Sequence, residues 1–397
     1  MDSAIIDRMV ALRRDLHQHP ELSWQETRTA FKVCEVLDQL HIPYRKGVAG
    51  TGVVADIPGN ILAPHIALRA DLDALPISEE TGLPFASRNN GVMHACGHDG
   101  HTSMLLGAAM LLAREESLPA PVRLIFQPAE ETGSGAKALI KEGVLDDVAM
   151  IFGGHLDRHF ATGTIAVTEG PVNASSDRFR VMITGKGGHA GRPHETVDSV
   201  VVGSLFVIAL QTIVSREVNP AHPSVVSVGR FDAGTASNVI AGTAVLEGSI
   251  RAQDANVREH LRRAIRRIAE SLGQLHGAAI HVDIDEGTPI LVNPPQGVAL
   301  GRTAAREVVG PTNVQQLFTA NMGAEDFSYY LEQRPGCYVR FGAHAAGTEA
   351  YPAHSSRFDF DEAALAVGAA YYHRLAILAG QRIVRPQGAT ADRDEAG

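Results

Sequence analysis

A cysteine and a histidine two residues apart are the pair whose types and spacing most directly suggest chemistry. They are Cys96 and His98, in the segment His-Ala-Cys-Gly-His-Asp at 94–99. A thiolate and an imidazole on a glycine-containing turn can face one metal ion together, and both suit zinc and neighbouring transition metals. Taken alone, the pair is equally compatible with a structural role, so we interpret it together with the acidic residues that follow.

Two adjacent carboxylates, Glu130 and Glu131, come after a predicted strand at 122–127 and the break at Pro128. One could be a metal ligand and the other a catalytic base that takes a proton from water. A solvated surface pair is the simpler alternative for two neighbouring glutamates. Active sites in α/β folds are built at strand ends, which favours the functional interpretation.

Further potential ligands also follow predicted strands. Asp71 and Asp73 follow a strand at 65–70, and the two-residue period of extended chain turns both carboxylates to one side. His155 follows a strand at 149–153, and His354 lies in a segment near the C-terminus. A lone histidine is more often structural than a ligand. The occurrence of such residues at several strand ends together predicts a site that activates water with metal.

The elements that must position these residues form two kinds of pattern. Strands alternate with helices up to about residue 153 and again after Pro289, which predicts a mixed α/β domain, at least partly parallel, with helices on both faces. Between them, the order strand, helix, strand, strand, helix, strand predicts an inserted ferredoxin-like domain. We therefore predict a catalytic domain at 1–176 and 291–397, an insert at 177–290, and a disordered polar tail at 385–397.

Composition narrows the class of protein. Lysine and arginine number 35 and aspartate and glutamate 45, and the net charge of −10 argues against nucleic acid or an anionic membrane as the main partner. The most apolar stretch, 197–214, is interrupted by polar residues, and the N-terminus lacks the apolar segment of a secretory signal. Three cysteines argue against a disulfide framework, so we expect a cytoplasmic protein.

In several motifs the chain resembles a known family, the M20 metallopeptidases and amidohydrolases. Within that family it is most similar to the branch that hydrolyses amide conjugates and N-acyl amino acids, of the hippurate hydrolase and auxin-conjugate hydrolase types. The motifs that carry the resemblance are His-Gln-His-Pro-Glu-Leu at 17–22, Arg-Ala-Asp-Leu-Asp-Ala-Leu-Pro at 69–76, His-Ala-Cys-Gly-His-Asp-Gly-His at 94–101, Phe-Gln-Pro-Ala-Glu-Glu at 126–131, Gly-Gly-His-Ala at 187–190 and Ala-Glu-Asp-Phe at 324–327.

The resemblance implies a site for two divalent metal ions in each subunit. Its ligands would be Cys96, His98, Glu131, His155 and His354. Glu130 would be the general base and acid toward metal-activated water, and Asp73 would orient a ligand. Asp71 stands where many members of the family have a ligand histidine, a departure that is normal in the cysteine-bearing branch. Zinc or manganese would fill the site, and cobalt or nickel also suit such ligands.

The resemblance also assigns roles to the insert, which in the family serves as a lid and a dimerisation surface. His189 would donate a hydrogen bond to the oxyanion that forms during amide hydrolysis. Asn238 and Arg251 would recognise the substrate carboxylate, for which the guanidinium fork is well suited. A homodimer that forms through the insert is therefore expected.

These observations predict a metal-dependent hydrolase that splits N-acyl or N-aroyl amino acids, or similar amide conjugates, into a carboxylic acid and an amino acid. A dipeptidase or carboxypeptidase with the same machinery is the alternative within the family. A non-catalytic metal-binding protein is the alternative from another class, and the presence of Glu130 beside every proposed ligand argues against it.

Overall fold

The computed structural model describes residues 1–384, and the predicted disordered tail at 385–397 lies outside the described residues. The chain divides into two compact units. The first unit comprises Met1–Gly170, Val292–Phe318 and the described chain from Tyr329 onward. The second comprises Pro171–Leu291 together with Thr319–Ser328.

The bounds of the secondary-structure elements are as follows. The α-helices are α1 Ser3–Gln18, α2 Thr27–Gln39, α3 His98–Leu112, α4 Gly135–Lys141, α5 Ser199–Thr212, α6 Ala255–His276, α7 Pro295–Val309, α8 Ser328–Leu331 and α9 Ala363–Val384. The strands are β1 Tyr44–Val48, β2 Gly52–Ile57, β3 His65–Asp71, β4 Val122–Gln127, β5 Val148–Ala161, β6 Ile165–Ala166, β7 Gly170–Asn173, β8 Ser175–Thr184, β9 Gly188–His189, β10 Ser224–Ala233, β11 Val239–Ile240, β12 Thr243–Ala252, β13 Ala279–Asp285, β14 Leu291–Asn293, β15 Val314–Gln315 and β16 Gly336–His344.

The first unit is built on a mixed sheet with the strand order β1-β2-β4-β3-β5-β16-β6-β15. In its centre, β4, β3, β5 and β16 run parallel to one another. Every residue of β4 is buried, as are all but the last of β16. Such continuous burial is typical of parallel strands that are covered on both faces. The predicted mixed α/β fold is confirmed.

The helix that carries the motif histidines, α3, is almost wholly buried in the first unit. It packs against α1 and α9, and its side chains are apolar nearly all round. A helix with this composition is a core helix, because it has no polar face to present to water. Close packing on all sides fixes the position of its first turn, where His98 lies.

An aspartate near the start of a helix often serves as its N-cap, but Asp99 does not cap α3. The helix begins at His98, and its N-cap is Gly97, in the left-handed conformation with φ of 90°. The Asp99 carboxylate instead accepts hydrogen bonds from Arg13 Nε at 3.0 Å and from His17 Nδ1 at 2.9 Å. Burial alone would lower the pKa of His17, but its carboxylate partners raise it to about 9. Charged donors therefore take the carboxylate that a cap would need, and they tie α1 to α3.

The second unit contains an antiparallel sheet with the strand order β10-β12-β8-β13. Helices α5 and α6 pack against it. Strand β8 alternates between buried and exposed residues, the pattern of a strand with one face on a core. At its start, the buried carboxylate of Asp177 accepts hydrogen bonds from Arg258 and Arg262, which ties β8 to α6.

The end of β5 differs from the expectation. Strand β5 continues to Ala161, so His155 lies within a strand and not after its end. It continues because β16 remains paired with it beyond His155, as far as Asp157 and, after a register shift, Ala161. In the second unit, α5 begins at Ser199 after the N-cap Asp198, ends its α-helical part at Thr212, and continues as a π-helical turn over Ile213–Glu217.

Two helical stretches are long and apolar enough to cross a membrane by length and composition alone, Ser199–Glu217 and Ala363–Val384. Core helices of folded domains meet the same criterion. Phe206 and Leu210 of the first stretch are buried in the core of the second unit, and Tyr371 of the other stretch is buried in the first unit. These helices are therefore weak evidence for a membrane-spanning segment.

Candidate metal centre

The loop before α3 places the cysteine of the metal motif. Gly97 takes a positive φ of 90°, which glycine adopts without steric cost, and this conformation turns the chain from Cys96 into the helix. His354 also has a positive φ, 68°, and its backbone N–H donates to the carbonyl of Ala95 at 2.8 Å. The C-terminal histidine is thereby held beside the cysteine loop, although more than 250 residues separate them in sequence.

Cys96 stands at the centre of the candidate site. Its Sγ lies within 4.8 Å of a ring nitrogen of His98 and of His155, and these two nitrogens also lie within 4.8 Å of each other. The same Sγ forms a second group with Glu131 and His354 under the same limit. The contact from Sγ to His155 Nε2 measures 3.3 Å, and His354 Nε2 lies 3.5 Å from Glu131 Oε1. One thiol is thus shared by two sets of potential metal ligands.

Two buried polar atoms at this site have no hydrogen-bond partner among the described residues. They are Nε2 of His98 and Oε1 of Glu131, 3.8 Å apart. Burying a polar atom without a partner costs free energy, so folded proteins contain few such atoms. Thiolate, imidazole and carboxylate are together a typical donor set for zinc and similar divalent ions. The residues therefore fit a metal ion.

Hydrogen bonds at the far side of two rings fix which nitrogen each ring presents. His98 Nδ1 lies 2.9 Å from the backbone carbonyl of Asp73, and His155 Nδ1 lies 2.6 Å from that of Leu156. A carbonyl oxygen only accepts, so Nδ1 carries the proton in both rings. In the neutral ring, the lone pair is therefore on Nε2, which is the arrangement that metal-binding histidines adopt.

The pKa values describe a pocket with an excess of acceptors. Burial raises the pKa of the Cys96 thiol, and the Glu131 carboxylate raises it further. The neighbouring Cys96 thiol and Glu131 carboxylate raise the pKa of His354 to about 10. Burial lowers the pKa of His155 well below its usual value, so this ring stays neutral. Such a pocket attracts positive charge, and a divalent cation can take the place of protons there.

The loop that carries the paired glutamates is held by a second carboxylate, Asp73. Its Oδ1 accepts from the backbone N–H of Glu130 at 3.1 Å, and its Oδ2 accepts from that of Glu131 at 3.0 Å. The Ser23 hydroxyl donates to the same carboxylate at 2.7 Å. Burial would raise the pKa of Asp73, but hydrogen bonds from His98 and Ser23 lower it, so the carboxylate remains ionised. Asp73 thus fixes the directions in which both glutamates leave the backbone.

The same loop depends on Glu26, which the motif analysis did not identify. Its buried Oε1 accepts from the Ala129 N–H at 2.9 Å, and its Oε2 accepts from the Thr51 hydroxyl at 2.6 Å. Ala129 has a positive φ of 54°, an uncommon conformation for a residue other than glycine, and it needs such support. The sequence feature that could have identified this residue is an acidic side chain, Glu26, four residues beyond the quoted motif at 17–22.

The structure places Asp71 beside the site, but its oxygens are already engaged. Oδ2 accepts from Arg69 Nη1 at 2.7 Å, and Oδ1 lies 2.7 Å from His101 Nδ1. Burial would raise the pKa of Asp71, yet the histidines and the arginine around it hold that pKa well below the usual range. A carboxylate with strong donors on both oxygens is poorly available to a metal ion. This agrees with the ligand set that leaves Asp71 out.

The remaining predicted residues lie in the second unit. His189 is exposed in β9, which pairs with β11, and the N–H of Ala190 donates to the Asn238 carbonyl at 3.1 Å. The structure therefore brings His189 and Asn238 onto neighbouring segments. Arg251 lies in β12, and its Nη1 donates to the Met322 carbonyl at 3.0 Å.

Comparisons with known proteins identify the family of this chain. The sequence profile described as peptidase family M20/M25/M40 matches residues 67–378. N-acetylcysteine deacetylase of Bacillus subtilis (strain 168) is 42% identical, over 95% of this chain and 98% of that protein. Thermostable carboxypeptidase 2 of Saccharolobus solfataricus is 39% identical, over 94% of this chain and 95% of its own.

A solved structure gives the same result at the level of the fold. The crystal structure of the Bacillus subtilis YxeP protein, described as a dinuclear metal-binding peptidase of the M20 family, superposes with a TM-score of 0.85. It is 37% identical in sequence, and the match covers 96% of this chain and 100% of that one. The chain therefore belongs to peptidase family M20/M25/M40, in the amide-conjugate hydrolase branch that its motifs predicted, and it is a metal-dependent hydrolase of amide or peptide bonds.

Proposed function

We propose that this protein is a dinuclear amidohydrolase that splits N-acyl or N-aroyl amino acids, or similar amide conjugates, into a carboxylic acid and an amino acid. The observation that carries the proposal is the shared thiol of Cys96 within reach of two ligand groups, with Glu130 beside them. The likeness to an N-acetylcysteine deacetylase supports the choice of an acylated amino acid as the substrate class.

In this proposal, two cations occupy the two ligand groups. Cys96, His98 and His155 would hold one, and Glu131 and His354, which lie with Cys96 in the second group, would hold the other. Thiolate and imidazole favour zinc, while the carboxylate also suits manganese, and cobalt or nickel can bind the same set. The cations would supply Lewis-acid chemistry, because they lower the pKa of water and polarise a carbonyl group.

Glu130 is the general base in this proposal. Its carboxylate lies within 4.8 Å of ligand atoms of both His98 and Glu131, and its backbone N–H is held by Asp73. From there it takes a proton from the attacking water and delivers it to the leaving nitrogen. Asp73 keeps the base and the ligand Glu131 in fixed relative positions, which avoids reorganisation during the reaction.

The insert predicted at 177–290 would serve as a lid that supplies polar groups to the substrate. Nδ1 of His189 accepts a hydrogen bond from the Gly191 N–H at 2.9 Å, so the proton of the neutral ring is on Nε2. An exposed Nε2–H is the donor that a tetrahedral oxyanion requires. Asn238, on the segment paired with His189, and Arg251 would bind the substrate carboxylate.

The same unit offers a surface for a second copy of the chain. Helix α5 exposes Val201, Leu205 and Ile208 on one face, and Ile208 is 65% exposed. Strand β10 is an edge of its sheet and exposes Val225 and Phe231. Exposed apolar side chains and an unpaired sheet edge are both features that proteins usually cover. We infer that a symmetric homodimer covers them.

The state of the cysteines supports a proposal for the cellular location. All three are free and buried, as expected for a protein of a reducing compartment. We propose a cytoplasmic enzyme that acts on a small molecule, with neither nucleic acid nor a membrane as partner.

A carboxypeptidase or dipeptidase activity is the second candidate, and the likeness to a thermostable carboxypeptidase favours it. The two activities differ in what precedes the scissile bond, a neutral acyl group or an aminoacyl group.

A panel of N-acetyl and N-benzoyl amino acids and dipeptides therefore separates the two activities. We expect the enzyme, loaded with zinc or manganese, to turn over the acylated amino acids about tenfold or more faster than dipeptides, because burying a charged ammonium group costs more free energy than burying a neutral acyl group. The reverse order in kcat/KM would favour the peptidase assignment.

The role of Glu130 predicts the effect of Glu130→Gln. The amide cannot accept the proton of water, so kcat should fall about 10²- to 10⁴-fold while two metal ions are retained. Steady-state kinetics and metal analysis of the same preparation measure both quantities. Glu116→Gln, in the exposed loop after α3, is a matched control and should behave as wild type. Turnover by Glu130→Gln within tenfold of wild type would exclude the base assignment.

The place of Cys96 in both ligand groups predicts that Cys96→Ser binds metal more weakly. A serine hydroxyl stays protonated near neutral pH, so both ligand groups lose an anionic member, and affinity should fall by about 100-fold or more. Titration of the metal-free enzyme with zinc measures this. Cys34→Ser removes another buried thiol and should leave metal binding unchanged. Unchanged zinc stoichiometry and affinity in Cys96→Ser would remove Cys96 from the ligands.

The dimer surface predicts that Ile208→Glu produces a monomer, because a buried unpaired carboxylate is costly at an interface. Sedimentation measures the oligomeric state, and Leu275→Glu, which charges an exposed apolar residue of α6, should remain dimeric. A dimeric Ile208→Glu would rule out this surface.

The proposed role of His189 predicts that His189→Ala remains dimeric and keeps its metal, but has a lower kcat. An effect of His189→Ala on KM alone would point to ground-state binding.

A further inference from the structure

His101, on the buried side of the metal centre, has no role in the proposed function. It lies one turn into α3, is 1% exposed, and its ring nitrogens have two different partners. Nδ1 lies 2.7 Å from Asp71 Oδ1, and Nε2 accepts the backbone N–H of Leu156 at 2.9 Å. The ring thus joins a buried carboxylate to the backbone of β5, next to the proposed ligand His155.

The partners of His101 determine which of its ring nitrogens carries the proton in the neutral ring. The Leu156 N–H can only donate, so Nε2 must carry a lone pair, and the proton of the neutral ring is on Nδ1, where it is donated to Asp71. Both nitrogens are therefore engaged. Although Asp71, His98 and His101 lie close enough together to hold a metal ion, His101 has no lone pair left to offer one.

Asp71 is itself held rigidly. Its second oxygen accepts from Arg69 Nη1 at 2.7 Å, and Arg69 Nε donates to the Gln127 side-chain oxygen at 2.9 Å. The Tyr330 hydroxyl donates to the same oxygen at 3.0 Å. Because Arg69 and Gln127 belong to the adjacent central strands β3 and β4, the sheet itself fixes the orientation of the carboxylate.

The bond to Leu156 lies where β5 loses a neighbouring strand. Strand β3 pairs with β5 only as far as Phe152, and three residues later comes His155. The His101 ring contacts the His155 ring edge-on, with their centroids 4.6 Å apart. The Leu156 carbonyl in turn accepts from His155 Nδ1 at 2.6 Å. His101 therefore acts on His155 twice, through the following peptide unit and through direct ring contact.

We propose that Asp71 and His101 are a positioning pair that fixes His155 as a metal ligand, an inference that rests on the proposed dinuclear site. The pair would set the metal affinity of one ligand group, Cys96 with His98 and His155. It would leave the other group, which contains Glu131 and His354, nearly unaffected. The position occupied by Asp71 thus contributes to metal binding indirectly, through a histidine that never contacts the ion.

Two substitutions at His101 separate the two hydrogen bonds. His101→Asn can still donate to Asp71, but its short side chain does not reach Leu156. His101→Gln places an amide carbonyl near the former Nε2, where it can accept the Leu156 N–H. Metal-free enzyme is titrated with zinc against a competing chelator, and the two affinities are measured separately. We expect His101→Asn to weaken one of the two zinc ions about 10- to 100-fold and His101→Gln to restore most of that affinity.

A control distinguishes positioning from general loss of stability. Asp177→Asn removes a buried, arginine-paired carboxylate from the second unit, and it should lower the melting temperature without changing either zinc affinity. The proposal is overturned if His101→Asn binds both zinc ions as wild type does, if it weakens both equally, or if His101→Gln gives no recovery. A wild-type enzyme that binds fewer than two zinc ions, or hydrolyses no acylated amino acid, would instead contradict the proposed function.

Discussion

The concentration of electron-pair donors around one buried thiol is the constraint on which the rest of this structure depends. Cys96 is in reach of two ligand groups, and the unpartnered atoms of His98 and Glu131 face the same space. Such a cluster is costly to bury unless positive charge compensates it. The first unit holds these donors in place: a buried helix supplies His98, and loops after central strands supply the carboxylates.

Carboxylates near the site divide by what their oxygens contact. Asp73 and Glu26 accept backbone N–H groups and so shape the loop of the paired glutamates. Asp71 and Asp99 accept from charged or ring donors and so tie helices to the sheet or to each other. Residue type alone does not separate these uses, because an aspartate serves each of them. The identity of the donor decides whether a carboxylate remains available to a metal ion.

Histidines at the site are assigned in the same way. His98 and His155 donate from Nδ1 to backbone carbonyls, which leaves their Nε2 atoms available to a metal ion, whereas Nε2 of His101 accepts a backbone N–H. The three rings lie within contact distance of one another, with centroid separations of 4.6 to 6.2 Å. Fixed backbone groups thus give adjacent, chemically identical side chains different roles.

The sequence by itself determined the mixed α/β class and the donor types, because apolar periodicity and residue chemistry are local properties. Motif resemblance extended these to a family and a ligand set. It did not determine that Asp99 pairs with Arg13 instead of capping α3, or that His155 lies inside β5, since each depends on partners distant in sequence. Only the tertiary structure shows that both oxygens of Asp71 accept hydrogen bonds, that Glu26 supports the glutamate loop, and which tautomer His101 adopts. Each of these features depends on hydrogen bonds between residues distant in sequence, which a local sequence pattern cannot predict.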